Sequence, residues 1–229
     1  MNALQIAIDG PTAAGKSTIA QLVAQRLEID CFLTGKLYRA LALYIYENKY
    51  DQTNEKEVLL AFEKIDLRYV FKHTNDHQIA NRVYLGSRDV TDQLFDSHIG
   101  ISASRIAMYP NVRKKMVRLQ KEHIRGRNVV VEGRDSGVRI VPSSPLKIFL
   151  TASFETRIGR RISQYRAKGL PQTQREVKRE LQLRDRQDST RTPDPLEQTE
   201  DSIVIDTTNT KPEQTVLYIT QLLKEKKLV

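Results

Sequence analysis

Gly10-Pro-Thr-Ala-Ala-Gly-Lys-Ser-Thr18 fits the spacing G-x-x-x-x-G-K-[ST], with Gly10 and Gly15 as the fixed glycines. Its nine residues, Gly10, Pro11, Thr12, Ala13, Ala14, Gly15, Lys16, Ser17 and Thr18, read as a phosphate-binding loop. Such a loop turns backbone N–H groups toward phosphate oxygens, and glycine lets the chain come close and take positive φ without a Cβ clash. Lys16 supplies a point charge, the Ser17 hydroxyl suits Mg²⁺, and the helix beginning here aims its positive end at the same anion. The flanks agree. Leu4-Gln-Ile-Ala-Ile8 is a short apolar run of buried-strand length, and Ile19, Leu22, Val23 and Leu27 then recur at helical spacing opposite Gln21, Gln25 and Arg26. Strand, loop and helix are the context this motif requires, whereas a glycine turn with a surface lysine needs none of it.

The rest of the chain continues that alternation. Ile29 to Leu33 predicts a second strand, Thr34-Gly35 opens a helix through Ile45, and Gln52 to Ile65 predicts another helix. Leu67–Phe71, Gln78–Ala80 and Arg82–Leu85 are short period-two runs separated by the turn-like His73–Asp76 and Gly86-Ser87, which predicts a small antiparallel insertion over 65–97. Helices follow over 99–108 and 112–125, split by Pro110. Asn128–Glu132, Leu146–Leu150 and Ser202–Asp206 are apolar runs expected in a sheet covered on both faces. An arginine-rich helix over 154–168, capping boxes at Thr173/Glu176 and Thr210/Glu213, and a loop over 186–200 complete the reading. The expected fold is α/β: three layers around a five-stranded parallel sheet, in one domain with its core at 1–64 and 98–229 and the insertion at 65–97.

Composition narrows the partners. The first apolar run is interrupted by Gln5 and closed by Asp9, unlike a secretion signal, and no stretch approaches about eighteen consecutive apolar residues, so a cytoplasmic protein with no membrane partner is expected. One cysteine, Cys31, excludes an internal disulfide and reads as a buried thiol. His73, His77, His98 and His123 lack metal-ligand spacing and read as structural or surface residues. The net charge of +9 invites nucleic acid, but Arg157, Arg160, Arg161, Arg166, Arg175, Arg179, Arg184, Arg186 and Arg191 crowd into the last third with no interleaved aromatics, which favours bidentate contacts to small phosphates. With no surplus apolar face evident, a monomer is expected.

Two clusters stand after predicted strands, where open α/β sheets bind ligands: Thr34-Gly-Lys-Leu-Tyr-Arg39 and Glu132-Gly-Arg-Asp-Ser-Gly137. A third, Arg184-Asp-Arg-Gln-Asp-Ser-Thr-Arg191, is alone equally readable as a charged surface helix. Together with the loop, Ala103-Ser104, Pro110-Asn-Val-Arg113 and Lys147–Ser153, they make the chain similar to the bacterial-type cytidylate kinases, P-loop kinases of nucleoside monophosphates, from Gln5 to the final helix. The resemblance implies ATP as donor with Mg²⁺ at Ser17, and CMP or dCMP as acceptor. It implies that Ser104, Arg113 and Asp135 read the cytosine edge, that Arg184 and Asp188 hold the sugar, and that Arg39, Arg134 and Arg191 hold the acceptor phosphate beside Thr34, Tyr38 and Glu132. It further implies that the insertion at 65–97 serves monophosphate binding and that an arginine-rich lid at 154–170, around Arg157, Arg160 and Arg161, closes over the triphosphate, so that Lys16, Arg134, Arg157, Arg161 and Arg191 would serve the transfer.

The sequence departs from the family pattern at Leu33 and Glu132, where aspartates are usual, at Val138, where threonine is usual, and at Lys36, where a small residue is common. Altered kinetics with activity retained is the expectation. The rival readings are a UMP or AMP kinase, a nucleotide-regulated nucleic-acid-binding protein suggested by the charge, and a non-catalytic relative suggested by Leu33.

Overall fold

The computed structural model describes residues 3–74, 76 and 78–229, so the readings at Asn75 and His77 lie outside the described residues. In chain order the elements are β1 (Gln5–Asp9), α1 (Lys16–Arg26), β2 (Asp30–Leu33), α2 (Gly35–Glu47), α3 (Glu55–Lys64), β3 (Leu67–Val70), β4 (Arg82–Leu85) and β5 (Arg88–Asp89). There follow α4 (Ser97–Ile106), α5 (Pro110–Ile124), β6 (Val129–Glu132), β7 (Leu146–Thr151), α6 (Phe154–Ala167), α7 (Gln174–Thr190), β8 (Ser202–Asp206) and α8 (Pro212–Glu225). A 3₁₀ turn, Gln93–Phe95, precedes α4.

Five parallel strands lie in the order β2-β6-β1-β7-β8, which puts β1 and its loop at the centre. Side chains of a strand alternate between faces, and here both faces are covered. Ala7, Phe32, Val129 and Val131 join Leu37 and Leu41 of α2, Val58 of α3 and Met116 of α5 on one side. Ile6, Ile8, Cys31, Val130 and Ile148 join Ile19 and Val23 of α1 and Ile219 and Leu223 of α8 on the other. This is the expected three-layer arrangement, with Cys31 buried and its thiol pushed up by that burial. Parallel pairing brings Leu33 opposite Glu132, and Glu132 opposite Ile8, so three strands end together beside the loop.

The small antiparallel sheet β3-β4-β5 is present, but its third strand is not the expected one. Gln78–Ala80 makes only an isolated bridge, Ile79 to His73, and the two-residue Arg88–Asp89 pairs instead. Asn81 is the cause: its Nδ2 donates to the Cys31 carbonyl at 2.5 Å and to Tyr69, while its Oδ1 accepts the Lys72 N–H at 2.9 Å, so the chain turns inward where a ladder would run. Other boundaries differ too. The helix expected from Gln52 starts at Glu55, because Asn54 accepts the Lys56 N–H at 3.0 Å as its cap and Thr53 folds back onto Asp51. Residues 186–190, expected as loop, belong to α7. The last helix is capped at Lys211, whose N–H donates to Gln214 at 3.0 Å, and not by a Thr210/Glu213 box. The Thr173/Glu176 box forms as expected.

Candidate active site

The loop is shaped by backbone constraints that side chains would violate. Gly10 sits at φ 144°, where a Cβ would collide with the Leu150 carbonyl oxygen. Gly15, at φ 93°, leads into α1, and no side chain caps that helix, which leaves its first N–H groups facing the cavity for an anion. Lys16 is 4% exposed; its Nζ donates to the Pro11 carbonyl at 2.8 Å and lies 3.6 Å from Glu132. Burial, reinforced by the charge of Arg134, pushes its ammonium down to about 7. The Ser17 hydroxyl donates to the other Glu132 oxygen at 3.3 Å.

Two cavities open at these strand ends. The larger, about 440 Å³, is lined by Thr12, Ala13 and Gly15 to Thr18 of the loop, by Lys36, by Thr91 to Phe95 in part, and by Arg161, Gln164 and Lys168 of the arginine-rich segment. The smaller, about 80 Å³, is lined by Thr34, Tyr38, Ser104, Asp135, Asp188 and Arg191 among others. Gly35, Arg39, Glu132, Arg134 and Arg184 line both, so three guanidiniums stand where the cavities meet. Burial, with Arg184 and Arg161 as further cations, pulls Arg39 down to about 9, which marks a place built for an anion.

Charges of alternating sign connect the two ends. From Lys16 the chain of pairs passes to Glu132 at 3.6 Å, Arg134 at 3.8 Å, Asp188 at 2.6 Å, Arg191 at 3.8 Å, Asp135 at 3.1 Å and Arg113 at 2.5 Å. Arg113 also meets Asp194 at 3.3 Å, and Asp194 pairs with Arg139. Ser104, Arg113 and Asp135, expected together, are joined through this chain, with Ser104 donating to Asp188 at 3.5 Å. Arg184, expected on the sugar, lies in the part shared by both cavities, whereas Arg191, expected on the phosphate, lines only the smaller one and donates to Asp135 and to the Asp194 carbonyl.

The arginine-rich segment divides. Arg161 faces the larger cavity; Arg157 does not line it, and donates to Asp185 at 2.5 Å and to the Thr12 carbonyl at 3.1 Å. Arg160 donates to Thr207, at 2.9 Å to its hydroxyl and 2.5 Å to its carbonyl. Sequence reasoning missed Glu180, which is 6% exposed and accepts from Arg161 at 3.0 Å, Tyr165 at 2.7 Å and Arg184 at 3.3 Å. The signal was present, since Glu180, Arg184 and Asp188 recur at i+4 on one face of α7. Asp185, Asp194 and Phe95 carry no comparable signal, because their partners are distant in sequence.

Asp9 in the sequence only closes the first apolar run. It is 8% exposed, and its two oxygens accept the N–H groups of Ser136 and Gly137 at 2.9 and 2.8 Å, which fixes the turn that carries Asp135. Burial raises its carboxyl to about 6. A raised folded value gives stability that is complete below the unfolded value of 3.8 and is lost as pH rises through about 6. Asp9→Asn removes that dependence: between about pH 4 and pH 7.5 the parent loses on the order of 2–3 kcal/mol more than the variant, as urea titrations at the two pH values would measure.

Known proteins resemble this chain over nearly its whole length. The family model described as cytidylate kinase matches residues 6–225. A cytidylate kinase of Thermotoga sp. (strain RQ2) is 41% identical over 223 residues, covering 97% of each chain, and one from Thermotoga neapolitana is 42% identical over 225 residues with the same coverage. A cytidylate kinase of Lactobacillus johnsonii is 34% identical over 97% of this chain and 95% of its own. Among solved structures, an uncharacterized protein from Eubacterium ventriosum shares the fold, with a TM-score of 0.50 at 12% identity over 97% of this chain and 98% of that one. Matched over nearly its whole length by the family model and by relatives well above 30% identity, the chain belongs to the cytidylate kinase family.

Proposed function

We propose that this chain transfers the γ-phosphoryl group of ATP to CMP or dCMP, giving ADP and CDP or dCDP. The observation that carries the reading is the meeting of two cavities at Arg39, Arg134 and Arg184, one floored by the phosphate-binding loop and the other reaching Asp135, which pairs with Arg113. Two polyanions brought together there need cations at the junction and nothing else by way of acid or base. The acceptor's own phosphate has its second pKa at about 6, so its attacking oxygen is already anionic at neutral pH. Positioning and electrostatic stabilisation then supply the rate. Lys16 and the uncapped N-terminus of α1 receive the donor phosphates, Arg161 adds charge from α6, and Arg134 and Arg39 hold the acceptor phosphate.

Among the described residues there is no cluster of three or more His, Cys, Asp or Glu side chains for a metal. Mg²⁺ needs none, because it keeps water and substrate phosphates and takes one or two protein oxygens. The Ser17 hydroxyl beside the Glu132 carboxylate is a fitting donor pair. Bound there, the ion would neutralise charge on the donor phosphates. At the other end Asp135 can accept from the exocyclic amine of cytosine, with Ser104 and Arg113 serving the ring's remaining edge. A site to which one chain supplies both cavities fits a monomer acting on free nucleotides; no helix of the described residues is long and apolar enough to cross a membrane.

Release of ADP from Mg²⁺-ATP with CMP, dCMP, UMP, AMP or no acceptor tests the reading. Turnover with the two cytidine nucleotides far above the rest is expected; equal turnover with UMP or AMP, or turnover without acceptor, would refute it. In the same assay Asp135→Asn, which keeps the size of the side chain but offers the amine a donor, lowers the preference for CMP over UMP about a hundredfold or more while KM for ATP holds.

A further inference from the structure

The 3₁₀ turn Gln93–Phe95 touches the arginines of both substrates. On one side the carbonyl oxygens of Leu94 and Asp96 accept from Arg39 Nη1 at 2.6 and 3.4 Å. Gly100 backs the same guanidinium so closely that a Cβ there would lie 2.9 Å from it. On the other side the Phe95 ring centre lies 5.1 Å from the Arg161 guanidinium, which also lies 4.2 Å from the ring of Tyr165. The two rings meet edge to face at 5.7 Å, and the Lys168 ammonium is 5.8 Å from Phe95. Gln164, Tyr165 and Glu180, the other partners of Arg161, stand on α6 and α7, the pair of helices packed through Ile158, Tyr165, Val177 and Leu181. Of these partners Phe95 alone comes from the segment between β3 and α4.

We infer that Phe95 is a positioning residue that holds Arg161 at the phosphate junction and ties its placement to the turn gripped by Arg39. The inference rests on the reading of Arg39 and Arg161 as arginines that meet the acceptor and donor phosphates. An aromatic face attracts a guanidinium, and does so more strongly as water is excluded. An aliphatic side chain of similar bulk fills the space without that attraction. With Phe95 in place, Arg161 faces the transferring group when the turn stands against the lid. Without it, Arg161 keeps Glu180 and Tyr165 but loses the partner that reports the acceptor side.

Three variants test this: Phe95→Leu, Phe95→Tyr and Phe95→Trp. In the leucine variant kcat falls about tenfold to thirtyfold while KM for CMP stays within about twofold, and the tyrosine variant regains most of the rate. A packing role alone predicts the reverse, since leucine keeps the apolar contact; a leucine variant with parental kcat, or a tyrosine variant as slow as leucine, overturns the inference. The chain has no tryptophan, so the indole of the F95W variant is its sole such reporter. Its emission is expected to change when CMP and a non-hydrolysable ATP analogue are added together, and unchanged emission overturns the inference too. A parent enzyme that transfers phosphate to none of the nucleoside monophosphates sinks the kinase reading itself, and is seen before any variant is compared.

Discussion

Lys16→Met lowers kcat/KM for phosphoryl transfer about a thousandfold and, in the same protein without ligand, raises the melting temperature. The two effects have opposite sign for one reason. A buried ammonium with one carbonyl acceptor and one carboxylate at 3.6 Å is short of partners until phosphates arrive. Burial has pushed it down from 10.5 to about 7. For a lysine lowered in this way, the penalty on the fold is absent only above the unfolded value and is complete once pH falls below the folded one. At about pH 7.5 nearly all of it is in force. Methionine fills a similar volume with no charge to desolvate, and Glu132 keeps Arg134 at 3.8 Å as a counter-charge. Each kcal/mol recovered is worth about 2–4 °C for a chain of this length. Thermal melts with and without nucleotide, beside steady-state kinetics, check both halves. A variant that loses activity together with ligand-free stability would mean that Lys16 serves the fold first.

What the sequence made legible follows from how far apart the partners lie. The loop, the strands of the parallel sheet and the helices α1, α2, α5 and α6 are local patterns: a glycine at φ 93°, apolar runs such as Val129–Val131, and 3.6-residue periodicity carry them. The strand order β2-β6-β1-β7-β8 is not local, and no run of residues encodes it. The same divide separates the site. Lys16, Ser17 and the cluster after β6 announce themselves by spacing, whereas Asp9 becomes a structural carboxylate only because Ser136 and Gly137 arrive from across the sheet. Asn81 defeats the strand expected at 78–80 through bonds to Cys31 and Tyr69, fifty and twelve residues away. The loop expected over 186–200 began too early for a related reason. Composition there reads as mixed charge, yet Arg184 and Asp188 are buried on the inner face of α7, where their partners lie on other elements, and the helix runs on to Thr190.

Asp188 is the position at which that burial has the largest consequence. It is 5% exposed, accepts from Arg134 Nε at 2.6 Å and Ser104 Oγ at 3.5 Å, and lies 3.8 Å from Arg191. Burial alone would push its carboxyl up, but Arg134, Arg191 and Arg184 together hold it below the ordinary value. A lowered folded value means that the stability it contributes is complete above the unfolded value of 3.8 and disappears as pH falls through the folded one. Removing the carboxylate leaves Glu132 as the carboxylate paired with Arg134 and Asp135 as the one paired with Arg191, so two guanidiniums of one substrate site lose their common counter-charge. Asp188→Ala is therefore expected to cost about 3–5 kcal/mol at neutral pH. Because Arg134 lines both cavities and Arg191 only the smaller, the kinetic loss is unequal: KM for CMP rises about a hundredfold, and KM for ATP several-fold less. Asp188→Asn keeps the size and the contact with Ser104 but not the charge, and falls between, with a fall in melting temperature below about pH 4 that is shallower than the parent's. If the asparagine variant instead matches the parent in stability at neutral pH and in both KM values, the alternating charges from Lys16 to Arg113 are separate pairs, and the two cavities are not held by one electrostatic unit.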